Sequence, residues 1–168
     1  MPPILMPAAF IGHGTPMNAL EHNRHTSAWR AFGAAVPRPR AILMVSAHWH
    51  VAATAVTAMP RPRTIHDFRG FPDELFAMQY PAPGLPELVG EIAELVQPDI
   101  IDTVQADTGS WGLDHGTWSV LCHAFPDADI PVVQLSINAE QPLEYHRDLG
   151  ARLSPLRERR VLVLGSGN

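Results

Sequence analysis

The sequence predicts a single α/β domain: a largely parallel central sheet flanked by helices, with its active-site rim at the carboxyl ends of the strands. Three observations carry this expectation. Four short apolar runs, 7–12 (PAAFIG), 41–47 (AILMVSA), 131–137 (PVVQLSI) and 161–165 (VLVLG), lack strict alternation and are bounded by proline, glycine or polar residues, as strands covered on both faces are. Helical patterns lie between them, and strands alternating with helices build parallel sheets. The 168 residues suffice for one domain, burying roughly 70% of the unfolded chain's surface, and no repeat, low-complexity tract or linker divides them.

Along the chain, 22–35 reads as a helix between the first two strands. A further strand is expected around 51–58 (VAATAVTA), with a weaker signal at 100–104. The stretch 59–84, rich in proline, glycine and aromatics, reads as a structured loop and a candidate wall of the site. Leu85, Leu88, Val89, Ile92, Leu95 and Val96 recur at helical spacing, with Pro86 near the start and Pro98 beyond the end. Segments 116–125 and 142–158 also read as helices, and Pro155 is expected to kink or shorten the second.

Composition excludes several classes. Hydrophobic residues make up 46% and charged residues 17%, a globular balance. A formal net charge of −5 offers no basic face for phosphates and so argues against a nucleic-acid partner; the clusters PRPR (37–40) and RERR (157–160) read as solvated surface. Cys122 is the only cysteine, which rules out an intrachain disulfide and fits a reducing, cytoplasmic setting. No apolar run approaches the ~20 residues that span a bilayer, and MPPILMPAAF lacks the basic start of a signal peptide, so no membrane partner is expected. Nine histidines and seventeen prolines stand out.

Ligands of open α/β sheets bind beyond the carboxyl ends of the strands. His13 and His48 each fall just past a predicted strand, and GSGN (165–168) should open on the same rim. Gly12 and Gly14 allow close backbone approach around His13. Two imidazoles from separate strand ends make half of a mononuclear site for Zn or Fe(II); the alternative is two unrelated loop histidines. In WGLDHGTW (111–118), His115 stands beside Asp114 between two tryptophans. It reads as a general acid/base with a fixed tautomer, or as the start of a helix capped by Asp114, and both can hold at once. In TIHDFRGFP (64–72), His66, Asp67, Phe68 and Phe71 form a cluster that supplies either a substrate-facing histidine with an aromatic wall or a packed surface loop. His22, His25, His50, His123 and His146 read as ordinary surface or core histidines, and Cys122 as a buried thiol.

Seven collinear motifs, GHGTPMNALE (12–21), PRAILMVSAHW (39–49), TIHDFRGFP (64–72), QYPAPG (79–84), WGLDHGTWSVL (111–121), FPDADIPVVQLSI (125–137) and GSGN (165–168), span essentially the whole chain. Together they resemble the class III extradiol ring-cleavage dioxygenases, the LigB-type catalytic subunits, and within them the 4,5-DOPA extradiol dioxygenase group. The resemblance implies a non-haem Fe(II) centre, with Zn(II) able to occupy the same ligands, that opens a small-molecule catechol with O2. It implies that His13 and His48 are metal ligands, that His115 is a catalytic histidine touching the substrate hydroxyl or bound oxygen, and that His66 touches the substrate or backs a residue that holds the metal. Members of this family continue past the GSGN strand to another active-site histidine and a further metal ligand, whereas this sequence stops at Asn168. Residues 1–168 are therefore expected to be a catalytic domain truncated at its C-terminus, with weak metal binding and little ring-opening activity. An inactive metal-binding homologue and a zinc-dependent hydrolase stay open as rival readings, as does a homo-oligomer.

Overall fold

The structure, a computed structural model, describes residues 5–96 and 104–168. Among these, six strands form one sheet: β1 (Ala8–Gly12), β2 (Ala41–Val51), β3 (Ala55–Thr57), β4 (Gln105–Asp107), β5 (Val132–Asn138) and β6 (Val161–Gly167), in the order β1-β6-β2-β5-β3-β4. Every pairing is parallel except the antiparallel contact of β3 with β5. The helices are α1 (Arg24–Ala35), α2 (Asp73–Phe76), α3 (Pro86–Val96), α4 (His115–Ala124) and α5 (Leu143–Leu153), with 3-10 turns at Pro16–Ala19 and Ser154–Arg157. No described helix is long and apolar enough to cross a membrane.

The unalternating apolar strands are explained by two cores, one on each side of the sheet. Successive residues of a strand face opposite sides. Ile42 and Met44, with Leu162 and Leu164, pack beneath Trp29 of α1 and Trp118 of α4, whereas Leu43, Val133 and Val161 pack beneath Ile92 of α3 and Leu153 of α5. Each side chain of β2 from Ala41 to Met44 is fully buried, so no position in that stretch is free to be polar.

Local chemistry sets the helix ends. The Asn23 side chain accepts from the backbone N–H groups of His25 and Thr26 while Thr26 Oγ1 accepts from Asn23 N, a reciprocal cap that starts α1. Proline cannot continue a helix interior, and α5 ends at Leu153 and passes into a 3-10 turn containing Pro155. The 59–84 stretch is an ordered loop holding only α2, and it is tied to the start of α4 by Ile65 N–H to Leu113 O (2.7 Å) and Leu113 N–H to Arg63 O (2.8 Å).

Two strand boundaries differ from the sequence reading. β2 runs to Val51 rather than ending at 47, and β3 is confined to Ala55–Thr57 instead of spanning 51–58. The cause is a bulge: Val45 pairs with Leu135 and His50 with Ile137, so Ser46, Ala47, His48 and Trp49 stand opposite Ser136 alone. Pairing of β2 with β6 ends at Ser46 and Ser166, freeing the chain to arch over the rim. The weak strand signal at 100–104 lies, but for residue 104, outside the described residues; β4 follows immediately.

Candidate metal centre

His13 follows β1 and keeps its register, its N–H donating to Gly167 O at 3.0 Å. Its ring is buried, and Nδ1 lies 2.7 Å from Ser166 Oγ, which in turn lies 2.5 Å from Gly116 O. A carbonyl only accepts, so the serine proton goes to Gly116 O and Ser166 accepts from His13 Nδ1–H. That fixes the tautomer and leaves a lone pair on Nε2. Burial first, then the neighbouring His48 and His115, lowers the His13 pKa to about 4 against the opposing pull of Asp67. The ring is therefore neutral at pH 7, the state a metal ligand requires.

His48 sits within the β2 bulge, not past the strand end as its flanks suggest, and reaches the same spot. Its Nε2 is 3.0 Å from His13 Nε2. Burial and then His115 lower its pKa, with Asp114 and Asp67 opposing. Gly116 makes room for it: a Cβ there would lie 2.9 Å from His48 Cδ2 and 2.5 Å from Ser46 Oγ. Any larger residue at 116 pushes on this ring.

His115 is the first residue of α4, capped by Asp114 as the sequence suggests, with Thr117 N–H donating to Asp114 Oδ1 at 3.3 Å. The carboxylate that orients the imidazole is another one. Asp67 Oδ1 accepts from both the backbone N–H and Nδ1–H of His115, each at 2.9 Å, leaving Nε2 as the nitrogen open to a ligand or a proton. Asp67 is held below the usual carboxylate range because these bonds outweigh the opposing effect of burial. Asp114 turns inward to Ser46 Oγ (2.7 Å), Trp111 Nε1 (3.2 Å) and the Gln134 amide, and burial raises its pKa. The aromatic cover is also reassigned. Phe68 packs edge-on to His115 at 5.6 Å, while Trp118 donates to Ile65 O and Trp111 stacks on Trp49 at 5.9 Å.

His13, His48 and His115 each offer a ring nitrogen, and these atoms all lie within 4.8 Å of one another. Three imidazoles, two with their outer nitrogens anchored to Ser166 and Asp67, are a donor set that fits Zn(II) or Fe(II). His66 is not in this group: its Nε2 donates to Met78 O at 2.8 Å and its ring lies among Phe68, Phe76 and Trp118. His50 is exposed beyond the bulge and also outside the group. The sequence marks Ser166 only as part of GSGN and Asp67 only as a member of the TIHDFRGFP cluster, with no role for either; nothing in either motif shows which ring it meets.

The family model described as the catalytic LigB subunit of aromatic ring-opening dioxygenase matches residues 7–168. The 4,5-DOPA dioxygenase extradiol of Escherichia coli (strain K12) is 50% identical over 163 residues, 97% of this chain and 59% of that protein. The protein of the same name from Beta vulgaris is 41% identical over 165 residues, covering 95% and 60%. The crystal structure of the uncharacterized protein JW3007 from Escherichia coli K12 superposes with a TM-score of 0.80 at 45% identity, covering 97% of this chain and 60% of that one. The chain thus spans about 60% of the length of these relatives. With the family pattern running from the first strand through the last, the chain belongs to the family of catalytic LigB subunits of aromatic ring-opening dioxygenases.

Proposed function

We propose that this chain carries the metal-holding and proton-handling part of an extradiol dioxygenase that opens the ring of a DOPA-like catechol with O2. The observation that carries this reading is the convergence of His13, His48 and His115 in a member of this family. Neither a zinc hydrolase nor a metal-binding protein without catalysis draws support from that membership.

His13 and His48 would hold the metal through Nε2, with Fe(II) as the inferred ion and Zn(II) as one the same imidazoles accept. When bound, the ion supplies Lewis acidity to a catecholate and a redox centre at which O2 reacts. His115 handles the proton. Its Nε2 takes one from a catechol hydroxyl, Asp67 stabilises the resulting imidazolium, and the same nitrogen returns the proton later in the cycle. Phe68, edge-on to His115, and Phe71, 5.3 Å from Phe68, form an apolar wall for an aromatic ring. His66 braces that wall through Met78 and supplies a weaker contact to substrate from it.

The test is anaerobic Fe(II) titration, followed by oxygen uptake with DOPA, of this chain extended to the full length of its relatives. His48→Ala should lose the metal. His115→Ala should keep it and lose turnover by ~10²–10⁴-fold, and His66→Ala should mainly raise KM. Undiminished uptake in His115→Ala, undiminished Fe(II) binding in His48→Ala, or an Fe(II)-loaded protein inert to catechols would contradict the reading.

A further inference from the structure

His13 and His115 are anchored through their outer nitrogens, but the main chain that carries His13 needs a second fixing point. Gly14 adopts φ +62°, so the chain turns sharply just after the ring. Within that turn the buried Asn18 donates from Nδ2 to His13 O at 2.9 Å, and a Cβ on Gly14 would lie 3.1 Å from the same nitrogen. Asn18 is itself gripped on two sides. Its Oδ1 accepts from Asn23 Nδ2 at 2.8 Å, at the cap of α1. Its backbone carbonyl lies 2.7 Å from His123 Nε2, and a carbonyl only accepts, so His123 carries its proton there. His123 Nδ1 must then accept, which it does from Arg30 Nη2 at 2.7 Å; the same Nη2 also lies 2.8 Å from His22 Nδ1. His123 lies about two turns along α4 from His115.

We propose that Asn18 is a positioning residue for the His13 arm of the metal centre, and that His123, locked by Arg30, holds Asn18 in place. Helix α4 then grips the centre from both ends, directly through His115 and indirectly through His123, Asn18 and the His13 carbonyl. The geometry requires no charge on His123 and no contact between Asn18 and the metal. Orienting partners of this kind change metal affinity about 10–100-fold when removed.

The inference rests on the metal reading above, and the experiment separates the two. Co(II) is titrated into the wild-type protein and into Asn18→Ala, His123→Leu, His123→Gln and Leu121→Ala, the last a buried α4 residue outside the chain of contacts, with folding checked by circular dichroism. Asn18→Ala and His123→Leu should weaken Co(II) binding about 10–100-fold. A glutamine amide can donate to Asn18 O and accept from Arg30, so His123→Gln should bind within about threefold of wild type. Leu121→Ala should lower thermal stability but leave affinity unchanged. Wild-type affinity in Asn18→Ala, or an equal loss in Leu121→Ala, overturns the clamp. A wild-type protein that binds no Co(II) overturns the metal reading instead, and the clamp is then read from the ¹⁵N shifts of the His13 ring without metal. Those shifts should report one tautomer in wild type and His123→Gln and a mixture in Asn18→Ala; identical shifts in all of them overturn it.

Discussion

One oxygen of Asp67 accepts both hydrogen bonds that His115 can direct at it, from the backbone N–H and from ring Nδ1–H, each at 2.9 Å. The other carboxylate oxygen stands 3.9 Å from His48 Nδ1. A single loop residue therefore fixes the tautomer of His115 and faces a second imidazole of the centre. In a form extended to the full length of its relatives, Asp67→Ala should lower catechol-dependent oxygen uptake by ~10–100-fold while the protein still takes up Fe(II). Uptake at the wild-type rate would show that His115 does not need this partner.

Gly116 lies where α4 meets the bulge of β2. A methyl group there would meet Ser46 Oγ at 2.5 Å, His48 Cδ2 at 2.9 Å and Asp114 Oδ1 at 3.2 Å. Gly116→Ala should displace the His48 ring, weaken Co(II) binding and cost about 1–3 kcal/mol of stability. Metal titration and a thermal melt check both effects, and loss of stability with intact metal binding would separate packing from the site.

A second close approach tests the fold independently of chemistry. A Cβ on Gly33 would lie 1.8 Å from Ala124 O, where α1 crosses α4. Because the obstacle is backbone, the helices must part. Gly33→Ala should lower stability by more than the ~1 kcal/mol that the alanine's better helix propensity returns, read as a lower urea midpoint. A raised midpoint would contradict this helix crossing.

Burial pushes the Cys122 thiol up to about 12, with nearby Arg30 opposing. The folded protein holds this proton more tightly than the unfolded chain, so stability should fall as pH rises from about 9 towards 12. The thiolate is the reactive form. Alkylation by iodoacetamide should therefore be slow in the folded protein at pH 8–9 and fast once the chain is denatured. Cys122 is half-buried rather than fully buried as the sequence suggests, and rapid labelling of the native protein would contradict the shielding of its sulfur.

Much of the sheet is legible in the sequence because its central strands are apolar on both faces. The positions of His13 and His115 follow from that frame, one beyond a strand and one at a capped helix start. The bulge that carries His48 is not legible: SAHWH reads as the end of a strand, and only the pairing of His50 and Val51 with Ile137 and Asn138 continues it. Sequence adjacency also pairs His115 with Asp114, yet an N-capping aspartate turns back to its own helix, and the orienting carboxylate comes from Asp67 in a distant loop. Ser166 hides for a related reason, since a small residue in a glycine-flanked strand end gives no sign of the ring it meets until β1 and β6 are paired.

The most direct test of the central claim is a crystal of the protein grown with Zn(II) and measured at the zinc absorption edge. The account predicts one strong anomalous peak at ~2.0–2.1 Å from Nε2 of both His13 and His48. An ordered peak bound elsewhere, or two well-ordered rings with no peak between them, would contradict it.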